Sequence, residues 1–252
     1  VTRVDPSVGA EQEYFIVDRD AYENRLDLKI CGVTLQGAPM PKGQELDDHY
    51  LGRIRLRIRK YMEEVDRRLW KLGVPAKTKH NEVAPAQHEL ALVYEGCNIA
   101  CDHNQLVMEV LRQVAKEQGL ACLLHEKPFA KVNGSGKHNN YSLSTNTGVN
   151  LLSPGKDPTR NTPFLLTLCA FLRGVDSYPE LLRLSTATAG NDLRLGGSEA
   201  PPSIISVFLG DALLGCLHQA AGEEIDGGPG VHSLNIGVST SPQLTADDSD
   251  RN

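Results

Sequence analysis

Several segments of this 252-residue chain hold chemically capable side chains at spacings that let them act together. The first is Glu11-x-Glu13, within residues 11–18, which read as a strand rich in aromatic and β-branched residues. Residues two apart on a strand share a face, so the two carboxylates stand about 7 Å apart, twice the strand rise. A cation or water between them relieves their repulsion. Taken alone, the pair reads rather as an exposed acidic face. In the second segment, Glu82 and Glu89 flank Pro85 in a stretch that is otherwise mostly apolar or amide-bearing, with His88 between them. Burying acids unpaired in such a setting is costly. Hard divalent cations such as Mg²⁺ or Mn²⁺ compensate, because they prefer carboxylate oxygens. The third segment, residues 127–142, places Ser135 between Gly134 and Gly136 and then alternates from His138, so that Asn140 and Ser142 share its face. Glycines there allow close backbone approach to a ligand and offer amide N–H groups to anionic oxygens. The phosphate-loop pattern G-x-x-x-x-G-K-[ST] is absent, and a basic flexible turn is the plainer account of this segment by itself. In the fourth, residues 190–202, Arg194 sits in a glycine-bounded loop, where a guanidinium can hold a carboxylate in a two-point fork. A surface loop leading into a helix at Pro201-Pro202 gives the same pattern.

These segments must be carried by regular elements. Ile54, Ile58, Tyr61, Met62, Val65, Leu69 and Leu72 recur at helical spacing, predicting a helix over 51–72 closed by a left-handed Gly73. Arg53, Arg55, Arg57, Arg59 and Lys60 form a basic stripe on its other face, read as solvated. Residues 19–46 look like a long excursion without clear elements, and 82–93 like two extended pieces joined at Pro85. A helix is expected over 98–119, strands over 121–125 and 138–144, and helices near 162–173, 179–184 and 203–221. The irregular order of strands and helices points to an α+β fold, a curved, largely antiparallel sheet backed by helices.

Composition narrows the function classes. Twenty-six Lys+Arg against 32 Asp+Glu give a net charge of −6, which argues against a general electrostatic grip on nucleic acid. With 40% hydrophobic and 23% charged residues the chain can bury a core. No apolar run approaches the roughly 20 residues that span a bilayer, so neither a membrane nor a nucleic-acid partner is expected. The six cysteines are irregularly spaced, and Cys97-x3-Cys101 has no second pair to complete a metal site. They read as buried, reduced thiols, which fits a cytoplasmic protein.

In sequence order, the segments resemble glutamine synthetase. The Lys127–Ser142 stretch, Lys-Pro-…-Asn-Gly-Ser-Gly-x-His-x3-Ser, resembles that family's ATP-region signature. Lys79-His80-Asn81-Glu82-Val83-Ala84-Pro85-Ala86-Gln87-His88-Glu89, with Ala189-Gly190-Asn191-Asp192 running into Glu199-Ala200-Pro201-Pro202, is most similar to the type III class. The resemblance implies an ATP-dependent ligase that joins ammonia to the γ-carboxylate of L-glutamate through γ-glutamyl phosphate, with two Mg²⁺ or Mn²⁺ ions per site. By motif, Glu13, Glu82 and Glu89 are expected to hold the metal nearer glutamate, and Glu11 and His138 the one that clamps the nucleotide phosphates. Asn133 and Gly134 are expected to receive the substrate's amino group and Arg194 its α-carboxylate. Glu199 is expected to cover the site and take a proton from ammonium, with Ser142 and Asn140 near the nucleotide. Two departures stand out. Asn140 occupies a position where many relatives carry a second histidine, and Arg194 is one residue nearer Glu199 than in the commoner classes. The whole of 1–252 is expected to be the central part of a catalytic domain. The family's small N-terminal β domain and C-terminal remainder would be missing, leaving the piece weakly active or inactive, while the full-length family member forms a ring-like homo-oligomer. A sister ligase using another amine, and a catalytically silent relative, are the alternatives.

Overall fold

The computed structural model describes residues 1–40, 42–44, 52–196, 207 and 209–223. Strand β1 (Val4–Asp18) is followed by α1 (Arg19–Glu23), α2 (Leu26–Cys31) and α3 (Leu56–Lys71). Next come β2 (Ala76–Asn81), β3 (Gln87–Leu92), β4 (Glu95–Gly96), α4 (Cys97–Glu117), β5 (Leu120–Leu123) and β6 (Lys137–Thr145). The helices α5 (Thr162–Ser177), α6 (Pro179–Thr186), α7 (Ala189–Arg194) and α8 (Gly210–Ala221) complete the described elements. The fold is α+β, as the sequence predicts, and its sheet runs β2-β3-β1-β4 with β5 and β6 also pairing β1. The pairings of β1 with β3, β4 and β5, and of β2 with β3, are antiparallel.

The chain divides into two compact units. One comprises residues 7–141 and 189–194, the other 1–6, 142–188 and 195–252. In the first, β1 separates two environments by alternation. Tyr14 and Ile16 point to the face packed by Tyr61, Met62, Val65 and Leu69 of α3 and Val107, Val110, Leu111 and Val114 of α4. Phe15 points the other way, into a smaller cluster with Leu28, Ala84, Leu123, Phe129 and Val132, and its ring meets Phe129 edge-on at 5.3 Å between centroids. Glu11 and Glu13 therefore lie on the Phe15 face, opposite the α3–α4 core. The second unit has its own cluster of Phe164, Leu168, Leu213 and Cys216. Its α5 starts where the Asn161 side chain accepts a hydrogen bond from the Phe164 N–H.

The two long helices follow their apolar periodicity. Helix α3 ends as expected, with Gly73 at φ +80° and its N–H donated to the Trp70 carbonyl. The Trp70 indole N–H reaches the Ala76 carbonyl at 2.9 Å, tying the end of α3 to the start of β2. Several sequence expectations need correction. Residues 19–46 are not element-free, since α1 and α2 lie there, but helices of five and six residues are too short to display a period. Strand β1 begins at Val4, before the expected 11–18 run. Residues 82–86 are a turn between β2 and β3, so Glu82 is a turn residue and only Glu89 lies on a strand. The Arg194 segment is the short helix α7 rather than a loop. The basic residues Arg53, Arg55, Arg57, Arg59 and Lys60 are all exposed, as expected, but Arg53 and Arg55 precede α3 rather than lying on it, while Arg57 pairs with Asp18 and the Gly119 carbonyl and Arg59 faces Glu63. All six cysteines are free thiols; Cys216 is buried, Cys97 and Cys122 are half-buried, and Cys31, Cys101 and Cys169 are exposed.

Candidate active site

The antiparallel register sets three polar side chains in a row across three strands. Glu13 of β1 lies opposite Glu89 of β3, and Glu89 lies opposite His80 of β2. Opposed residues share a face, so all three project from the Phe15 side of the sheet. The β2–β3 turn brings Glu82 to the same place. Its N–H donates to the Gln87 carbonyl at 2.9 Å, and Ala86 adopts a left-handed φ of +65° to close the turn. The His80 ring stands between two carboxylates, with Nδ1 3.2 Å from Glu82 Oε1 and Nε2 3.1 Å from Glu89 Oε1. One ligand atom each from His80, Glu82 and Glu89 lie within 4.8 Å of one another.

A second pair stands beside this group. His138 Nδ1 is 3.1 Å from Glu11 Oε2, and the Asn140 amide donates to Glu11 Oε1 at 2.9 Å. The Gly134–Gly136 loop closes onto β1, where the Gly136 N–H donates to Glu13 Oε2 at 2.6 Å and the Glu13 N–H to the Gly136 carbonyl at 3.1 Å. The loop is anchored from behind by Gln87. Its carboxamide donates to the Gly134 carbonyl at 2.9 Å and to Ser135 Oγ at 3.0 Å. Arg194 packs where a β-carbon on Gly134 or Gly136 would sit, and its Nη1 donates to Asn191 Oδ1 at 3.1 Å. Asn133 is gripped at two points by Gln44, which accepts from its N–H at 2.6 Å and donates to its Oδ1 at 3.2 Å.

Electrostatics show what the group lacks. Burial, reinforced by Glu82 and Glu89 and only partly offset by the Gly136 N–H and Arg194, pushes the Glu13 carboxyl up to about 8. Burial and the carboxylates of Glu82 and Glu11 also raise Glu89, against the pull of His80. For His80, burial disfavours the cation, but hydrogen bonds to Glu82 and Glu89 prevail and lift it to about 10. The cluster thus has more carboxylates than neighbouring cations can neutralise, and it takes up protons to compensate. Carboxylate oxygens are the donors that Mg²⁺ and Mn²⁺ prefer, so the gathered glutamates fit a divalent cation.

Of the residues singled out in the sequence, the structure gathers Glu13, Glu82 and Glu89 around one locus. Glu11, His138 and Asn140 form an adjoining group, with Asn133, Gly134 and Arg194 at the loop beside them. Ser142 lies farther along β6 and belongs to the other unit. Glu199 lies outside the described residues. Sequence reasoning assigned no role to His80, Gln87 or Gln44. His80 stands two residues before Glu82, a spacing that signals a shared site, whereas Gln87 and Gln44 act through contacts that no local spacing encodes.

The "Glutamine synthetase, catalytic domain" family profile matches residues 2–201. The chain is 61% identical over 213 residues to a glutamine synthetase of Butyrivibrio fibrisolvens, covering 84% of this chain and 30% of the relative. It is 50% identical over 250 residues to the type-3 glutamine synthetase of Dictyostelium discoideum, covering 99% and 34%. It thus spans about a third of the length of the relatives it matches. Among solved structures, a ligand-free GmaS superposes with a TM-score of 0.63 at 22% identity, covering 82% of this chain and 44% of that one. A Plasmodium falciparum glutamine synthetase gives 0.60 at 20%, covering 78% and 41%.

Proposed function

The chain belongs to the glutamine synthetase family, and on that premise we propose that it carries the metal- and glutamate-binding part of an ATP-dependent glutamate–ammonia ligase. In the proposed reaction the γ-carboxylate of L-glutamate takes the terminal phosphoryl group of ATP, releasing ADP. Ammonia then attacks the acyl carbon, phosphate leaves and glutamine forms. The observation that carries the reading is the convergence of Glu13, Glu82, Glu89 and His80 beside the Glu11–His138 pair.

Glu13, Glu82 and Glu89 would hold one divalent cation, and Glu11 with His138 a second. When bound, Mg²⁺ or Mn²⁺ supplies the positive charge that lets phosphate and carboxylate oxygens approach each other. The chain's own residues then orient the substrate. The carbonyl of Gly134 and the Asn133 segment accept from the ammonium group of glutamate, and the Arg194 guanidinium forks its α-carboxylate. Asn140, an amide where a second imidazole is common in relatives, offers hydrogen bonds to phosphate without positive charge. Ser142 is assigned to the nucleotide, and Glu199 to covering the site and accepting the proton that ammonium sheds. An acyl phosphate hydrolyses readily, so water must be kept from it during transfer. A ring-like homo-oligomer and a cytoplasmic setting complete the proposal.

The test is glutamine formation by the full-length protein from glutamate, ammonia and ATP with Mg²⁺ or Mn²⁺. Loss of at least about a hundredfold in kcat in Glu82→Gln supports the reading. Formation of γ-glutamyl amides only with other amines would assign the chain to a sister ligase. No turnover with any amine, together with no saturable Mn²⁺ site, would make it a silent relative.

A further inference from the structure

Gln87 is 2% exposed, and its carboxamide bonds in two directions at once. Its Oε1 accepts from the Ala84 N–H at 3.2 Å, within the turn that carries Glu82. Its Nε2 donates to the Gly134 carbonyl and to Ser135 Oγ in the glycine loop. The main chain repeats the closure, with Gln87 N–H donated to the Ala84 carbonyl at 3.1 Å and its carbonyl receiving the Glu82 N–H. The neighbouring Ala86 is a non-glycine residue at φ +65°, a conformation that persists only when its surroundings fix it. Its carbonyl is held by the Ile16 N–H at 2.9 Å.

From this geometry we infer that Gln87 is a positioning residue that locks the carboxylate turn to the backbone acceptor for the substrate's amino group. The inference rests on the reading above, in which the Gly134 carbonyl receives that group. A carbonyl oxygen has two lone-pair directions near its plane. Gln87 fills one, so the other is aimed in advance, and an arriving ammonium group need not reorient the peptide. The same amide spans to Ala84, two residues from Glu82, so displacement at either end is transmitted to the other. Uncharged glutamine suits this place, because a carboxylate here could not donate to Gly134 and would add a further anion to a cluster already overloaded with them.

The discriminating measurement compares L-glutamate with glutarate, which lacks the amino group, by calorimetry on the Mn²⁺-loaded full-length protein and its Gln87→Met variant. Loss of the hydrogen bonds is expected to weaken glutamate about tenfold while glutarate changes by less than about twofold. Mn²⁺ affinity, followed by water proton relaxation, should stay within about threefold of the parent. Without metal, hydrogen exchange at the Ala84 amide should accelerate. If Gln87→Met does not fold, Gln87→Leu takes its place with the same expectation for the two ligands, since it too removes the donor to Gly134 without adding charge. Glutamate affinity that is unchanged in the variant, or glutarate weakened equally, overturns the role of Gln87 alone. A parent that binds glutarate as tightly as glutamate, or binds neither, overturns the assignment of Gly134 and this inference with it.

Discussion

Glu89 is subject to competing influences. It faces Glu13 on one strand and His80 on the other, and burial, reinforced by Glu82 and Glu11, raises its carboxyl against the pull of His80. Replacing it by Gln removes the anion that links the row and is expected to lower Mn²⁺ affinity by at least about tenfold, read by water proton relaxation. A second prediction concerns a thiol away from this cluster. Burial, opposed by the Tyr61 hydrogen bond and by Arg112, pushes Cys122 up to about 12 from its ordinary value near 9. Between those values the unfolded chain loses the proton and the folded chain keeps it, so stability falls as pH rises, by no more than about 1.4 kcal/mol per pH unit. Tyr14 and Tyr61 are pushed up in the same direction. The share due to the thiol is therefore read as the difference between parent and Cys122→Ala melting temperatures from pH 8 to 11, with the variant declining less. Glu82 and Glu89 stood out because acids in apolar sequence carry a solvation cost that a sequence displays, whereas Glu11, Glu13 and His138 stood out through the resemblance of the ordered motifs. Gln87 and Gln44 did not, since an amide in such a place shows its purpose only through partners 47 and 89 positions away.

Elements were legible in proportion to their length. Helices α3 and α4 repeat their apolar positions over several turns, and both appear close to where that period puts them. In α1, α2 and α7 fewer than two turns exist, so no stripe forms to be read. Pro85 drew attention as a break within extended sequence, yet the larger event is the left-handed Ala86 beside it, which reverses the chain and puts Glu82 off the strands. Gly73 is a case where local chemistry sufficed. Among the described residues no neighbour would meet a β-carbon there, so Gly73→Ala suffers only the cost of its φ of +80°. A loss of about 1–2 kcal/mol in urea unfolding is expected, with no change in Mn²⁺ affinity.

Across the whole molecule, each compact unit has an apolar cluster of its own, and the cation-binding candidates lie in the unit built around β1. Divalent-cation binding should therefore appear as stabilisation of that unit. At a Mn²⁺ concentration about 100 times its dissociation constant, the gain is about 2.7 kcal/mol. Calorimetry should show the parent's transition moving upward with added Mn²⁺ and that of Glu89→Gln moving at most about half as far at the same concentration. Because β1 sends Glu11, Glu13 and Phe15 to one side and Gln12, Tyr14 and Ile16 to the other, its function depends on odd and even numbering. Deleting one residue between Glu13 and Phe15 would drive anions into oil on one flank of the cut or strip the partner strands of their match on the other. The strand can thus tolerate changes of letter far more readily than a change of count, and any drift in chain length has to be absorbed beyond its ends.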